Sequence, residues 1–165
     1  AASTILYHSG YPFSIVNSGV RSAHVSNATG LASATVLADW TGGAGYPDCT
    51  TPNAACYTKS QFLTSAAQTD WGNIPRNSFR GPGYFDTDLN VNKAFTMHEH
   101  YQLIVGANLF NIFNHANFDL PPNNLASGTF GTIQNTVSAP TSAYGSFQGS
   151  AVSGRVVQTQ IKFVF

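Results

Sequence analysis

The stretch that decides the fold is residues 84–97, which read YFDTDLNVNKAFTM. Every second residue belongs to a mainly apolar set, and the residues between them include two aspartates and two asparagines. A helix would mix the two sets because its faces repeat every 3.6 residues, whereas successive side chains of a strand point to opposite faces. The stretch therefore predicts a long strand with one apolar and one polar face.

Three further segments alternate in the same way and predict strands. Residues 98–99 provide a short polar turn, so the strand that follows them would form a β-hairpin with the first. The last strand is apolar at every second position, and Val157, Ile161, Phe163 and Phe165 share one of its faces. The predicted bounds of the four strands are about residues 2–16, 84–97, 100–113 and 155–165.

Two long segments without regular alternation, residues 17–83 and 114–154, connect these strands. Residues 129–133 suggest one further short strand within the second of them. Loops longer than about 12–15 residues are uncommon in compact domains, but outer-membrane barrels combine short periplasmic turns with long extracellular loops. We therefore expect an all-β fold of long antiparallel strands in one domain over residues 1–165. It would form a partial barrel or sheet that other chain segments or copies complete.

The composition excludes several classes of protein. Only 8% of the residues are charged, against about 25% in average soluble domains. Seven basic and seven acidic residues give a formal net charge of zero, so the basic excess of nucleic-acid-binding proteins is missing. No apolar run approaches about 18 residues, which excludes a membrane-spanning helix but not spanning strands of about 9–11 residues. Such low charge suits a surface that faces lipid, another chain or a water-filled lumen.

No arrangement of residues indicates an enzyme or a metal site. Glu99 is the only glutamate, and neither a phosphate-binding loop nor a dinucleotide fingerprint is present. The sequence DTDLN at residues 86–90 begins like a calcium loop but lacks the later Gly and Glu. The sequence HEH at residues 98–100 spaces its histidines too closely for the zinc helix motif. We predict no catalytic residue, no metal ligand and no cofactor.

Cys49 and Cys56 are the only cysteines, and they lie seven positions apart in a polar, proline-containing stretch. Without a second pair or a histidine at zinc spacing, they do not indicate a metal site. We favour a disulfide that closes a small exposed loop, which requires an oxidising compartment. Two free thiols in a loop are the alternative.

Residues 71–90 resemble a stretch near the end of TonB-dependent, Oar-like outer-membrane receptors. In that family an RNxFRGPGY loop leads into an xxDLSLxKxF strand. The strand is matched by Asp88, Leu89, Lys93 and Phe95. The loop is matched by Arg76, Asn77, Phe79, Arg80, Gly81, Pro82, Gly83 and Tyr84.

Three shorter segments add to this resemblance. FNIFNH at residues 110–115 is similar to the FNLFNH segment that follows in the family. SGYPF at residues 9–13 is similar to its SGxPF strand end, and KFVF at residues 162–165 to its final strand. The resemblance implies a location in the bacterial outer membrane and uptake of a large ligand across it. The last strand, with Phe165, resembles the signal that directs barrel assembly.

The resemblance also implies partners for the four strands. Such receptors have a plug domain and a barrel of about 22 strands, whereas this sequence offers roughly four strands and no plug. No transport residue is therefore carried over to it. Unpaired edges cost several kcal/mol per group in lipid and invite pairing in water. We therefore expect the partners to be other strands of a larger barrel or copies of the chain. The alternative function is a structural, extracellular subunit of a fibre or oligomer assembled by strand pairing between copies.

Overall fold

The computed structural model of the protein describes residues 1–21, 24, 28, 30, 33–45, 49, 55–98, 101–137 and 154–165. The expected all-β, antiparallel fold is confirmed, and its largest sheet is open rather than closed into a barrel. The elements in chain order are β1 (Ala2–His8), β2 (Pro12–Phe13), β3 (Val16–Val20), β4 (Ala34–Leu37), a 3-10 turn (Lys59–Gln61), β5 (Phe79–Arg80), β6 (Tyr84–His98), β7 (Tyr101–Phe110) and β8 (Val156–Val164).

The largest sheet has the strand order β1-β6-β7-β8, and every neighbouring pair is antiparallel. β6 is its longest strand, with 15 residues. β1 pairs with β6 between Tyr84 and Asn90, whereas β7 pairs with β6 from Leu89 onward. At its Tyr84 end β6 therefore extends past β7, and residues 84–88 pair with β1.

The observed strands differ from the predicted ones mainly at their ends. The strand predicted over residues 2–16 ends at His8, and β2 and β3 belong to two separate two-stranded sheets. The strand predicted over residues 100–113 spans Tyr101–Phe110 because the chain turns at Asn111, whose φ is 49°. Residues 129–131 form turns instead of the suggested strand. The tight turn predicted at Glu99 lies outside the described residues.

The chain divides into two compact units. We call one the sheet unit; it comprises Ala1–Ser9, Tyr84–Phe118 and Asn135–Phe165. We call the other the loop unit; it comprises Gly10–Gly83 and Asp119–Gln134. Within the ranges that the structure describes, no helix is both long and apolar enough to cross a membrane.

The loop unit has an aromatic core of its own. Phe79 is fully buried at its centre, with ring centroids 5.0 Å from Tyr57 and 5.9 Å from Phe13. Phe62 and Trp40 complete the cluster, 5.0 Å from each other. Edge-to-face aromatic pairs of this kind add about 0.5–1.5 kcal/mol each beyond their buried area. Much of the segment predicted as a long irregular loop is therefore a packed body.

Candidate membrane-spanning surface

One face of the four-stranded sheet is apolar across all its strands. Opposite residues of adjacent strands lie side by side on the same face. The strand register therefore brings the alternating apolar residues of the four strands together on one surface. The rows of this mainly apolar face, from one end to the other, are Tyr7 with Phe85; Ile5 with Thr87; Ser3, Leu89, Leu109 and Val157; Val91, Ala107 and Thr159; Lys93, Val105 and Ile161; and Phe95, Leu103 and Phe163.

Much of the apolar face is exposed to solvent in the single chain. Ile161 is 76% exposed and Val157 55% exposed, and every residue of β8 is exposed. Monomeric soluble proteins rarely expose contiguous apolar patches larger than a few hundred Å², and larger ones mark membrane or protein contacts. A face four strands wide therefore requires lipid or another chain against it.

Aromatic side chains lie at both ends of the apolar face. At one end Phe85 is paired with Tyr7, and its ring lies 6.1 Å from that of Phe113. At the other end the Tyr101 ring stacks on Phe163, with 5.9 Å between centroids. The rings of Phe163 and Phe165 lie 6.3 Å apart. These two clusters have the positions of the aromatic girdles that flank the apolar band of outer-membrane barrels.

The spacing of the two aromatic ends fits a membrane. Phe85 and Phe95 are ten residues apart on β6, which spans roughly 33 Å at about 3.3 Å per residue. Strands tilted by about 40° would project this length onto roughly 25 Å, the height of the apolar band in such barrels. Lys93 is the one charged residue on this band of β6, and its long aliphatic stem allows the ammonium group to reach the interface.

The opposite face of the sheet carries a ladder of amide side chains. Asn90 Nδ2 donates to Asn108 Oδ1, and Asn92 Nδ2 donates to Asn90 Oδ1 at 2.6 Å. Gln160 Nε2 donates to Asn92 Oδ1 at 2.7 Å. The ladder joins β6, β7 and β8 without any charge and makes the middle of this face polar and wettable, as the lumen side of a barrel is. β7 also adds the apolar residues Ile104 and Phe110 to this face.

Gly106 on β7 allows this ladder to cross the sheet. It lies between Asn92 and Gln160 in the register, and a Cβ atom there would be 1.8 Å from Asn92 Oδ1 and 2.9 Å from the Val91 carbonyl oxygen. The glycine therefore leaves the space through which the two amides meet.

We expect Gly106→Val to lower the free energy of unfolding by about 1–3 kcal/mol, because the side chain would displace the amide and press on the strand backbone. Urea unfolding of the refolded protein in detergent micelles measures the change. Gly128→Val is the matched control, since nothing lies within 4 Å of a Cβ atom at Gly128. Equal unfolding midpoints for the two variants would contradict the role of Gly106.

The carboxylates of the calcium-like stretch are used within the fold. Asp88 Oδ1 accepts the N–H of Asn111 at 3.0 Å, and Asp86 Oδ1 accepts the N–H of Thr87 at 2.9 Å. Tyr84 donates its hydroxyl to Asp86 at 3.4 Å. In the described part of the chain, no group of three His, Cys, Asp or Glu side chains is placed to hold a metal ion.

The FNIFNH segment forms a turn built from asparagines at the end of β7. Asn111 and Asn114 have φ angles of 49° and 53°, in the left-handed region that asparagine tolerates better than most residues. The Asn111 side chain accepts the N–H of His115 at 2.9 Å and donates to its carbonyl oxygen at 2.8 Å. Asn114 Oδ1 accepts the N–H of Arg155, just before β8, at 3.0 Å. The segment thus ties the end of β7 to the start of β8.

Asn117 completes the pairing of β6 beyond the point where β7 turns away. Its side-chain amide accepts the N–H of Phe85 and donates to the carbonyl of Phe85, both at 2.9 Å. Its own carbonyl oxygen accepts the N–H of Val137 at 2.8 Å. Asn117 is fully buried, so one side chain takes the place of a neighbouring strand. The sequence pattern did not reveal this role, because a single polar residue in a loop carries no periodic signal.

The family-motif loop lies in the loop unit and at the start of β6. Phe79 and Arg80 form β5, which pairs with Pro12 and Phe13 of the SGYPF segment. Gly81 donates its N–H to the Tyr11 carbonyl at 3.0 Å. Two segments that the sequence singled out separately are therefore hydrogen-bonded to each other. The remaining motif residues are Arg76 and Asn77 in an exposed turn, and Pro82 and Gly83 leading to Tyr84.

Cys49 and Cys56 form a disulfide. Cys49 is buried and donates its N–H to the Arg80 carbonyl at 3.0 Å, and Cys56 donates its N–H to the Gly131 carbonyl at 2.9 Å. The bond therefore joins two points that the backbone of the loop unit already holds. The expected disulfide is present.

We expect reduction of this disulfide to destabilise the loop unit by about 2.5 kcal/mol, the chain-entropy value for a loop of about eight residues. The measurement is urea unfolding of the oxidised protein with and without dithiothreitol. The Cys49→Ala/Cys56→Ala variant serves as control, because the reductant should leave its midpoint unchanged. An oxidised protein whose midpoint also does not move would contradict the prediction.

One exposed, mainly apolar face, an opposite face with a polar amide ladder, and aromatic clusters at both ends of the apolar band are features of the wall of a transmembrane β-barrel. In the described part of the chain, the outer strands β1 and β8 of this sheet are each paired on one side. A family model described as "Outer membrane beta barrel domain" matches residues 1–158. The chain belongs to this family of outer-membrane barrel proteins, and the bacterial outer membrane is its location. No curated protein and no solved structure shows a significant match to the chain.

Proposed function

We propose that the chain is the C-terminal barrel segment of an outer-membrane receptor of the TonB-dependent, Oar-like class, which takes up a large ligand and is not an enzyme. The strongest support comes from where the structure places the segments that resemble this class of receptor. The SGYPF and RGPG stretches are paired in β2 and β5, and the FNIFNH stretch caps β7. Two of the three resembling segments thus contact each other directly, which favours a shared fold over chance similarity.

The receptor proposal assigns a direction to each strand. The connection between His98 and Tyr101 is short, and barrels of this kind place short turns in the periplasm. The chain leaves β1 at His8 and returns to β6 at Tyr84, two residues that pair with each other, through a long connection. Long connections of outer-membrane barrels lie outside the cell, so residues 9–83 would meet extracellular ligands.

The receptor proposal is tested on the protein purified from outer membranes of its own cells. We expect it to bind the isolated periplasmic domain of the TonB energy-coupling protein in a pull-down, while a porin from the same membranes does not. A tag inserted at Gly128, which is exposed, avoids the strands. Absence of binding would overturn the TonB-dependent class and leave the barrel family untouched.

The open edges favour a second candidate, a structural subunit assembled by strand pairing between copies. β1 and β8 are the outer strands of the sheet, and they run antiparallel to each other. The β8 edge of one copy could therefore pair with the β1 edge of the next in the antiparallel manner that the sheet already uses. Electron micrographs of the purified protein in aqueous buffer decide the question, because this candidate requires filaments or closed rings. Monodisperse particles that need detergent would eliminate it.

A further inference from the structure

The loop unit contains a cleft of about 620 Å³ beside its small β3–β4 sheet. This volume falls within the range of about 300–1,000 Å³ that is usual for small-molecule sites. One wall is the sheet itself, and the other is the segment that carries the first residues of the family-motif loop. The lining residues that matter here are Ser14, Thr35, Val36, Trp71, Arg76 and Asn77.

Two backbone features fix the walls of the cleft. Gly72 has a φ of 94°, and a Cβ atom there would be 2.1 Å from the Leu37 carbonyl oxygen. The chain therefore touches β4 directly after Trp71 and holds the indole at the edge of the sheet. On the other side, Asn77 has a φ of 57° and donates its N–H to Ser14 Oγ at 2.8 Å. Backbone contacts thus fix the chain at Gly72 and Asn77, on the two sides of the cleft.

The cleft is lined by the exposed indole of Trp71 and by the guanidinium group of Arg76. Trp71 is 43% exposed, although large aromatic residues are usually buried in a packed body. The Arg76 guanidinium makes no hydrogen bond or ion pair in the described part of the chain. Thr35 adds an exposed hydroxyl, and the Ser14 hydroxyl donates to Asn77 Oδ1 at 3.4 Å.

No carboxylate lines the cleft among the described residues. The closest acidic neighbour in sequence, Asp70, accepts the Trp71 N–H at 2.7 Å and lies 3.5 Å from His24 Nε2. The cleft therefore carries one positive charge that nothing in it balances. Guanidinium groups bind carboxylates through two parallel hydrogen bonds, which are about twice as strong as neutral ones.

We propose that this cleft binds an acidic saccharide. A pyranose ring would lie against the indole of Trp71, its carboxylate would pair with Arg76, and its hydroxyls would bond to the side chains of Thr35 and Ser14. The biological meaning of this ligand rests on the receptor proposal, which sets residues 9–83 outside the cell. The binding itself does not rest on it, so the two proposals fail separately.

The test is isothermal titration calorimetry of the detergent-solubilised protein with a tetramer of galacturonic acid and with the neutral tetramer of galactose. We expect saturable binding of the acidic tetramer and binding of the neutral one that is weaker by about tenfold or more. Arg76→Gln and Trp71→Ala should each weaken binding of the acidic tetramer by about tenfold or more. Trp71→Phe keeps an aromatic ring and should retain most of the affinity.

Lys59→Gln is the matched control for Arg76→Gln. Lys59 is an exposed cation of the same unit that does not line the cleft, so its loss removes the same charge and should change affinity less than about twofold. An unchanged urea unfolding midpoint in each variant shows that the unit has folded. Equal affinity for the two tetramers, no binding of either, or an unaffected Arg76→Gln variant would each overturn the proposal. None of these results bears on the pull-down with the energy-coupling protein.

Discussion

Val157→Arg should lower the free energy of unfolding in a lipid bilayer by about 2–4 kcal/mol, whereas Gln158→Arg should change it by less than about 1 kcal/mol. The two residues are neighbours on β8 but lie on opposite faces. Val157 is in the row of Leu109 on the apolar face, and Gln158 pairs with Asn108 beside the amide ladder. The same substituent thus meets hydrocarbon in one variant and water in the other.

The size of the effect follows from the depth of Val157. Its row contains Leu89, four residues from Phe85 and six residues from Phe95 on β6. The row therefore lies near the middle of the apolar band, where arginine is most costly in outer-membrane barrels. Near the aromatic ends the penalty would fall towards zero because the side chain could reach the interface.

The measurement is folding into phospholipid vesicles at increasing urea concentrations. The folded fraction is read from the difference in gel migration between folded and heat-unfolded protein. Both variants gain the same arginine side chain, so the difference between them reports mainly the face on which it lies. If Gln158→Arg proved as costly as Val157→Arg, the assignment of the apolar face to lipid would be wrong. Filaments built in water would give that outcome, since both faces of the sheet would then be solvated or packed alike.

Asn117→Ala should cost about 2–3 kcal/mol of folding free energy, the largest effect that we expect from any single polar residue. The variant loses the two bonds to the backbone of Phe85 and leaves an amide and a carbonyl of β6 without a partner. An unsatisfied group of this kind costs about 1–3 kcal/mol. Phe85 is only partly buried, which is why the expected value is below the sum for two fully buried groups.

Two companion variants make the Asn117 prediction specific. Asn117→Asp keeps an acceptor for the Phe85 N–H but cannot donate to its carbonyl while ionised, so it should lie between the wild type and Asn117→Ala. Asn135→Ala is the control, because Asn135 is exposed in the same unit. Urea unfolding in micelles gives all three values. A control that loses as much stability as Asn117→Ala would show that the effect is not specific to the bonds with Phe85.

The sequence predicted the two-faced sheet well, because alternation records which side of a strand meets apolar surroundings. From Tyr84 to Met97 this signal is continuous, and the predicted end of the strand is one residue from the observed one. The faces of β8 were predicted in the same way, including the shared side of Val157 and Ile161. The disulfide was predicted from the isolation of its two cysteines.

The loop unit was not predictable from alternation. Its core gathers Phe13, Tyr57, Phe62 and Phe79 from distant parts of the chain through two-residue strands and turns, so no local period records it. Family resemblance pointed to residues 76–84 without giving a reason for them. The structure supplies one, since Phe79 fills the aromatic core and its neighbours bond to the segment around Tyr11.

The early end of β7 has a consequence for the mouth of any barrel that includes this sheet. β7 ends at Phe110 opposite the first residue of β8, Val156, whereas β6 continues past its last β7 partner, Leu89, to Tyr84. The rim of the wall therefore has a step between β6 and β7. The side chain of Asn117, and not a strand, covers the taller part of the rim on this side.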